Sequence, residues 1–138
     1  MSIREKIVGT WQLLEFAVEA NGKTIWPMGK DAKGFLSYAS DGYVSANLMC
    51  QPPLEHGLEP EEALSGPATK YMAYAGRFEV VEAQQAIIHN MEVSLFPEWL
   101  GDAQYRYVKF EDDRLIISAN QEGGATAILA WKKASPNC

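Results

Sequence analysis

From Arg77 onward the chain alternates apolar and polar residues with a period of two, the mark of strands with one buried face. The alternation predicts strands over 77–83, 86–95, 104–111, 114–120 and 125–133. Gln84-Gln85, Asp112-Asp113 and Glu122-Gly123-Gly124 fall between them as turns, and 96–103 is the one longer connection. The first half reads the same way. An aromatic and apolar strand spans 9–19, Asn21-Gly22 turns the chain, and 24–26 runs extended to Pro27. Strands over 34–39 and 43–50 flank Asp41-Gly42, a hairpin signal. Two segments break the pattern. Ser2 to Val8 suits one helical turn, with Ser2 as cap and Glu5 three residues later. Leu64, Ala68, Tyr71, Met72 and Ala75 recur at helical spacing over 60–75, with a break at Gly66-Pro67.

The prediction is all-β: about eight to ten antiparallel up-and-down strands with one short helical insertion, in a single domain over 1–138. Such strands remove their free edges by closing into a barrel. A barrel near eight strands holds packed side chains or one small ligand.

The faces of two strands carry the chemistry. In 86–95 the set Ile87, His89, Met91, Val93, Leu95 is more apolar than its complement and should face inward. In 104–111 the inward set is Gln104, Arg106, Val108, Phe110. His89 and Arg106 thus point into an apolar interior. An inward arginine needs a partner. Glu15, Glu92, a ligand anion, or backbone carbonyls with water would each serve. Two polar groups in an apolar cavity resemble a small-molecule site, whereas a lone core histidine is more often structural. Phe78, Met91, Tyr38 and Trp99 are candidate cavity walls. Asn47 joins them if strand 43–50 turns its polar face inward, a point the alternation leaves open. Leu64, Tyr71 and Met72 belong to a lid over one mouth, or to a helix that only covers an open end. The stretch 97–101 either caps the other mouth or carries Trp99 as a plug. Outward Tyr105 and Tyr107 would suit a homodimer interface.

Charge and composition narrow the function. The net charge is −6 with no basic run, which disfavours nucleic acid and anionic membrane surfaces as partners. The N-terminus has no long apolar stretch, so a cytoplasmic protein is expected, with Cys50 and Cys138 as free thiols. Two distant histidines without Cys clusters give no metal site. No phosphate loop, dinucleotide fingerprint or nucleophile elbow is present, so no cofactor is expected.

Gly9-Thr10-Trp11 resembles the GxW signature on the first strand of lipocalins and related calycin barrels. The segments VGTWQLL (8–14), GFLSYASDGYVSANLM (34–49), YAGRFEV (74–80), HNMEVSLFPEWLGDAQYR (89–106) and LAWK (129–132) are similar to the small bacterial and fungal lipocalin-like domain family. The resemblance implies a calycin-type barrel with an internal cavity. In lipocalins a last-strand arginine packs across the first-strand tryptophan; here Lys132 and Lys133 follow Trp131, and lysine lacks that planar fork. The resemblance also implies a bridge from the C-terminus to a mid-barrel strand, which would match Cys138 with Cys50. Related barrels bind hydrophobic metabolites, and some act as cofactor-free cyclases, isomerases or hydratases. Three readings follow. The first is a binder of a small, mostly hydrophobic, anionic or neutral metabolite. The second is a cofactor-independent enzyme with His89 as acid or base and Arg106 stabilising an oxyanion. The third is a packed structural barrel.

Overall fold

The structure is a computed structural model that describes residues 1–50 and 71–135. A single-turn helix α1 (Ile3–Ile7) precedes nine strands: β1 (Gly9–Ala20), β2 (Lys23–Ile25), β3 (Lys33–Tyr38), β4 (Tyr43–Met49), β5 (Tyr71–Val81), β6 (Ala86–Ser94), β7 (Ala103–Glu111), β8 (Arg114–Asn120) and β9 (Thr126–Lys133). All pairings are antiparallel, in the order β2-β1-β3-β4-β5-β6-β7-β8-β9, and β1 also pairs with β9. Eight strands therefore close into a barrel and β2 hangs on β1 as an extra strand.

The turns sit where the alternation breaks. Asn21 and Asp112 adopt positive φ (52° and 55°), which short polar side chains tolerate. The helical turn also forms as expected: the Glu5 amide donates to Ser2 Oγ at 3.1 Å. Its start docks on Glu82, whose carboxylate accepts from the Ile3 amide at 3.0 Å. Ile7 is fully buried, so α1 seals that end of the barrel.

The helix expected over 60–75 is corrected at its end. Residues 71–75 are strand, paired with β4 from Met49↔Tyr71 to Tyr43↔Arg77. Cross-strand pairing decides the state of a short apolar run that fits both periods. The rest of that expected helix, with His56 before it, lies outside the described residues, as does Cys138; Cys50 is half-buried at the end of β4.

Two β-bulges set which side chains face in. On β1 the register shifts between Leu13 and Glu15. Trp11 and Leu13 point inward before the bulge, and Phe16 and Val18 after it. On β6 the pairing jumps from Gly76↔Met91 to Ala75↔Val93, leaving Glu92 as the extra residue. Ile87, His89 and Met91 are buried as expected, but Val93 and Leu95 are 63% and 51% exposed. The inward direction expected for those two is thus corrected: one extra residue reverses the parity of everything beyond it.

The barrel closes over Trp11 without an arginine. The Trp11 indole N–H donates to Ile7 O at 2.8 Å. The Lys133 ammonium lies 4.7 Å from the Trp11 ring centre and donates to Val8 O at 2.6 Å. A point charge on a flexible stem thus serves where the planar fork is missing. Gly9 makes room for it. Its φ is +128°, and a methyl group there would run into the Lys133 ammonium. Lys133→Met keeps the stem and drops the charge. It should lower stability by about 1 kcal/mol in urea unfolding; an unchanged midpoint would mean that the contact holds nothing.

Candidate functional site

The inward side chains leave a cavity of about 500 Å³. Its walls are apolar on one side, from Phe16, Leu36, Leu48, Ile117, Leu129 and Trp131. The exposed polar residues Glu98, Asp102, Asn120 and Gln121 mark its mouth, at the barrel end away from α1. Trp99 lines the rim, 4.7 Å from the Phe96 ring and 6.2 Å from the Tyr74 ring. It leans on its neighbours and leaves the cavity open.

The polar groups form a column on β7 and a chain across β3, β6 and β5. Asp102, just before β7, and Gln104 and Arg106 on it descend from the mouth at every second residue, so all three face the cavity. Arg106 is half-buried. Its Nη1 donates to Tyr105 O at 3.3 Å and, at the limit of hydrogen bonding, to Gln104 Oε1 at 3.5 Å. Neither is charged. Among the described residues no carboxylate lies within ion-pair distance of it. The two carboxylates considered as partners point elsewhere: Glu15 accepts from the Trp26 indole, and Glu92 from the Arg77 amide.

His89 is 1% exposed. Its Nε2 lies 2.7 Å from the Tyr38 hydroxyl and its Nδ1 2.8 Å from the Tyr74 hydroxyl. Burial, and then the Arg106 charge, hold its pKa well below the ordinary histidine value, so the ring is neutral. Burial pushes both phenols the other way. Tyr38 is raised well above its usual value, with the Tyr74 charge adding and Arg106 opposing. Tyr74 is also raised by burial, and the neighbouring Arg106 charge opposes the rise. Both tyrosines are therefore neutral hydroxyls at physiological pH.

Three of the candidate residues line the cavity: His89, Arg106 and Trp99. Tyr38, Phe78 and Met91 are buried just behind it. Phe78 meets Tyr38 edge-on at 5.0 Å and carries the Arg4 guanidinium 5.1 Å from its ring centre. Asn47 and Tyr71 sit on the outer surface, where the Tyr71 hydroxyl donates to Asn47 Oδ1 at 3.3 Å. Val44, Ala46 and Leu48 take the inner face of β4, which forces Asn47 out. Sequence reasoning missed Tyr74 and Trp131. The Trp131 indole N–H is buried and has no hydrogen-bond partner among the described residues. Counting back by twos from Phe78 through Gly76 would have found Tyr74. Among the described residues no cluster of His, Cys, Asp and Glu could hold a metal ion.

A closed antiparallel barrel around an apolar cavity with a few converging polar groups is the architecture of a small-molecule-binding calycin. The chain belongs to the lipocalin-like domain family, whose model matches residues 8–134. It is 34% identical over 108 residues to a 4'-hydroxy-3'-methoxypropiophenone carrier protein of Aspergillus oryzae (strain ATCC 42149 / RIB 40); the match covers 65% of this chain and 96% of the relative. Among solved structures, a redesigned β-barrel superimposes with a TM-score of 0.50 at 8% identity, covering 98% of this chain and all of that one. The wild-type fluorescent protein UnaG gives a TM-score of 0.45 at 12% identity, over 96% of this chain and 100% of its own. The redesigned barrel speaks to fold alone. Binding of a small molecule is the function that the family and the carrier relative support. No helix among the described residues is long and apolar enough to cross a membrane.

Proposed function

We propose that this protein is a carrier or binder of a small, mostly hydrophobic aromatic molecule, held in the barrel cavity with Arg106 and Tyr74 as its polar anchors. One observation carries the reading: Arg106 faces a cavity of about 500 Å³ and, among the described residues, leans only on uncharged partners. Cavities of roughly 300–1,000 Å³ suit drug-sized ligands. A half-buried guanidinium held this loosely gains from an electron-rich ligand oxygen. The carrier relative supports the aromatic class, since the ligand in its name is a methoxyphenol bearing a ketone side chain.

Titration of the purified protein with 4'-hydroxy-3'-methoxypropiophenone, followed by tryptophan fluorescence, tests this. Trp99 and Trp131 both line the cavity, so quenching that saturates is expected, with a rise in melting temperature. Absence of both, for this compound and for a panel of related phenolic ketones and acids, would sink the proposal.

Catalysis without a cofactor is the second reading, and one observation changes its actors. Both His89 nitrogens are engaged by tyrosines, so a substrate would meet Tyr74 and Arg106 before the imidazole. A homodimer through Tyr105 and Tyr107 is a separate proposal. Both side chains are exposed on the outer face of β7, and light scattering of the pure protein decides it.

A further inference from the structure

The Tyr38–His89–Tyr74 chain has a direction. Tyr38 is 1% exposed, and among the described residues the one partner of its hydroxyl is His89 Nε2, at 2.7 Å. A buried O–H with nothing to donate to is costly, so the Tyr38 proton points at Nε2. A neutral imidazole that accepts at Nε2 carries its hydrogen on Nδ1. That N–H therefore donates to the Tyr74 oxygen, 2.8 Å away. The Tyr74 oxygen is thus already an acceptor, and its own proton finds no acceptor in His89. Arg106, next to it, offers only donors. Tyr74 lines the cavity, so its O–H is left for whatever occupies that space. On the same cavity the buried Trp131 N–H also lacks an acceptor among the described residues.

We propose that Tyr74 and Arg106 form a donor-only clamp for a hydrogen-free ligand oxygen, a carbonyl or carboxylate, with Tyr38 and His89 as positioning residues that turn the Tyr74 proton into the cavity. The proposal rests on the binding function above and adds a selection rule to it. A carbonyl oxygen has two lone pairs and brings no hydrogen. It can accept from Tyr74 and Arg106 together. An alcohol oxygen in the same place brings an O–H for which Arg106 has no acceptor and the Tyr74 oxygen is already taken by His89, so it must turn away from the clamp to find one. A methylene leaves both donors unanswered. The clamp therefore separates ligands of nearly identical size and hydrophobicity by the oxidation state of one carbon. A site that rejects by leaving buried donors unpaired discriminates more sharply than one that rejects by shape.

The test uses four probes with one methoxyphenol ring and different side chains. They are 4'-hydroxy-3'-methoxypropiophenone, the alcohol from reduction of its ketone, 2-methoxy-4-propylphenol without that oxygen, and 4-hydroxy-3-methoxybenzoate. Calorimetric titration should show the ketone or the carboxylate binding at least about tenfold more tightly than the alcohol and the propyl compound. Which of the two binds better tells a carbonyl ligand from an acid. Tyr74→Phe should remove most of that gap, by weakening the ketone or carboxylate and by tightening the propyl compound, whose methylene no longer leaves the Tyr74 O–H unanswered. Equal affinities across the four, or a gap that survives Tyr74→Phe, overturn the clamp while the binding function stands. Binding of none overturns both. One readout needs no ligand. The imidazole nitrogen resonances of His89 should show Nδ1 protonated and Nε2 bare; the opposite tautomer overturns the direction of the chain.

Discussion

Gly76→Ala is expected to cost about 3 kcal/mol or more, enough to unfold much of the protein near its working temperature. Gly76 lies on β5 opposite the β6 bulge. A methyl group on it would run into the carbonyl of Asn90 and crowd the amide nitrogen of Glu92. Both are backbone groups, so no rotamer change relieves the clash. Either the two strands part or the bulge is lost. Losing the bulge is worse than local, because Val93 to Leu95 would then swap faces. Chemical denaturation of the variant against the native protein measures this. A loss below about 0.5 kcal/mol would show that the bulge can slide at little cost and that Gly76 does not hold it.

Replacing His89 with leucine should be nearly as damaging, for the opposite reason. Leucine fills much of the space but strands the hydroxyls of Tyr38 and Tyr74. Each unpaired buried hydroxyl costs about 1–3 kcal/mol, so a total of about 2–6 kcal/mol is expected. Tyr38 carries the larger share because it has no access to the cavity. The triple variant Tyr38→Phe, His89→Leu, Tyr74→Phe removes every member of the network and should recover most of that loss. Failure to recover would mean that shape, not hydrogen bonding, fixes these three residues.

The same histidine gives the fold a pH signature. Unfolding lets the imidazole take up a proton that the folded core refuses, because burial and Arg106 depress its pKa. The unfolded state then binds more protons, so stability rises with pH. His89 places no acid penalty on folding above its ordinary pKa of 6.5. Below that, stability falls by up to about 1.4 kcal/mol per pH unit while the folded ring stays neutral. Unfolding curves between about pH 7 and pH 5 should show that slope in the native protein. In His89→Leu it should be smaller by one proton.

The barrel was legible in the sequence because its signals are local. Alternation marks strands, and Asn21-Gly22 and Asp112-Asp113 mark turns through their tolerance of positive φ. The inward directions of His89 and Arg106 followed from the same alternation. What the sequence hid belongs to pairs of strands. A bulge is a mismatch between two strands, so nothing in Met91-Glu92-Val93 alone announces that the parity flips. Tyr74 was hidden because 71–75 fits helical spacing as well as the strand set Met72, Tyr74, Gly76, Phe78. The contact of His89 with Tyr38 and Tyr74 depends on register across three strands, which composition does not carry. Lys133 was read as a missing arginine because a rule about geometry was applied where a point charge suffices.

The pairing of β1 with β9 has a consequence for how the molecule comes into being. The seam that shuts the barrel, from Trp11↔Lys133 to Glu19↔Thr126, joins the first strand to the last. Until β9 is available, Trp11, Leu13, Phe16 and Val18 lack part of the wall that buries them. Such long-range closure is slow, since the entropy of bringing distant segments together is lost before their contacts form. During synthesis on the ribosome the barrel must wait as an open, curled sheet with a sticky leading edge. It can lock only after nearly all of its chain has emerged.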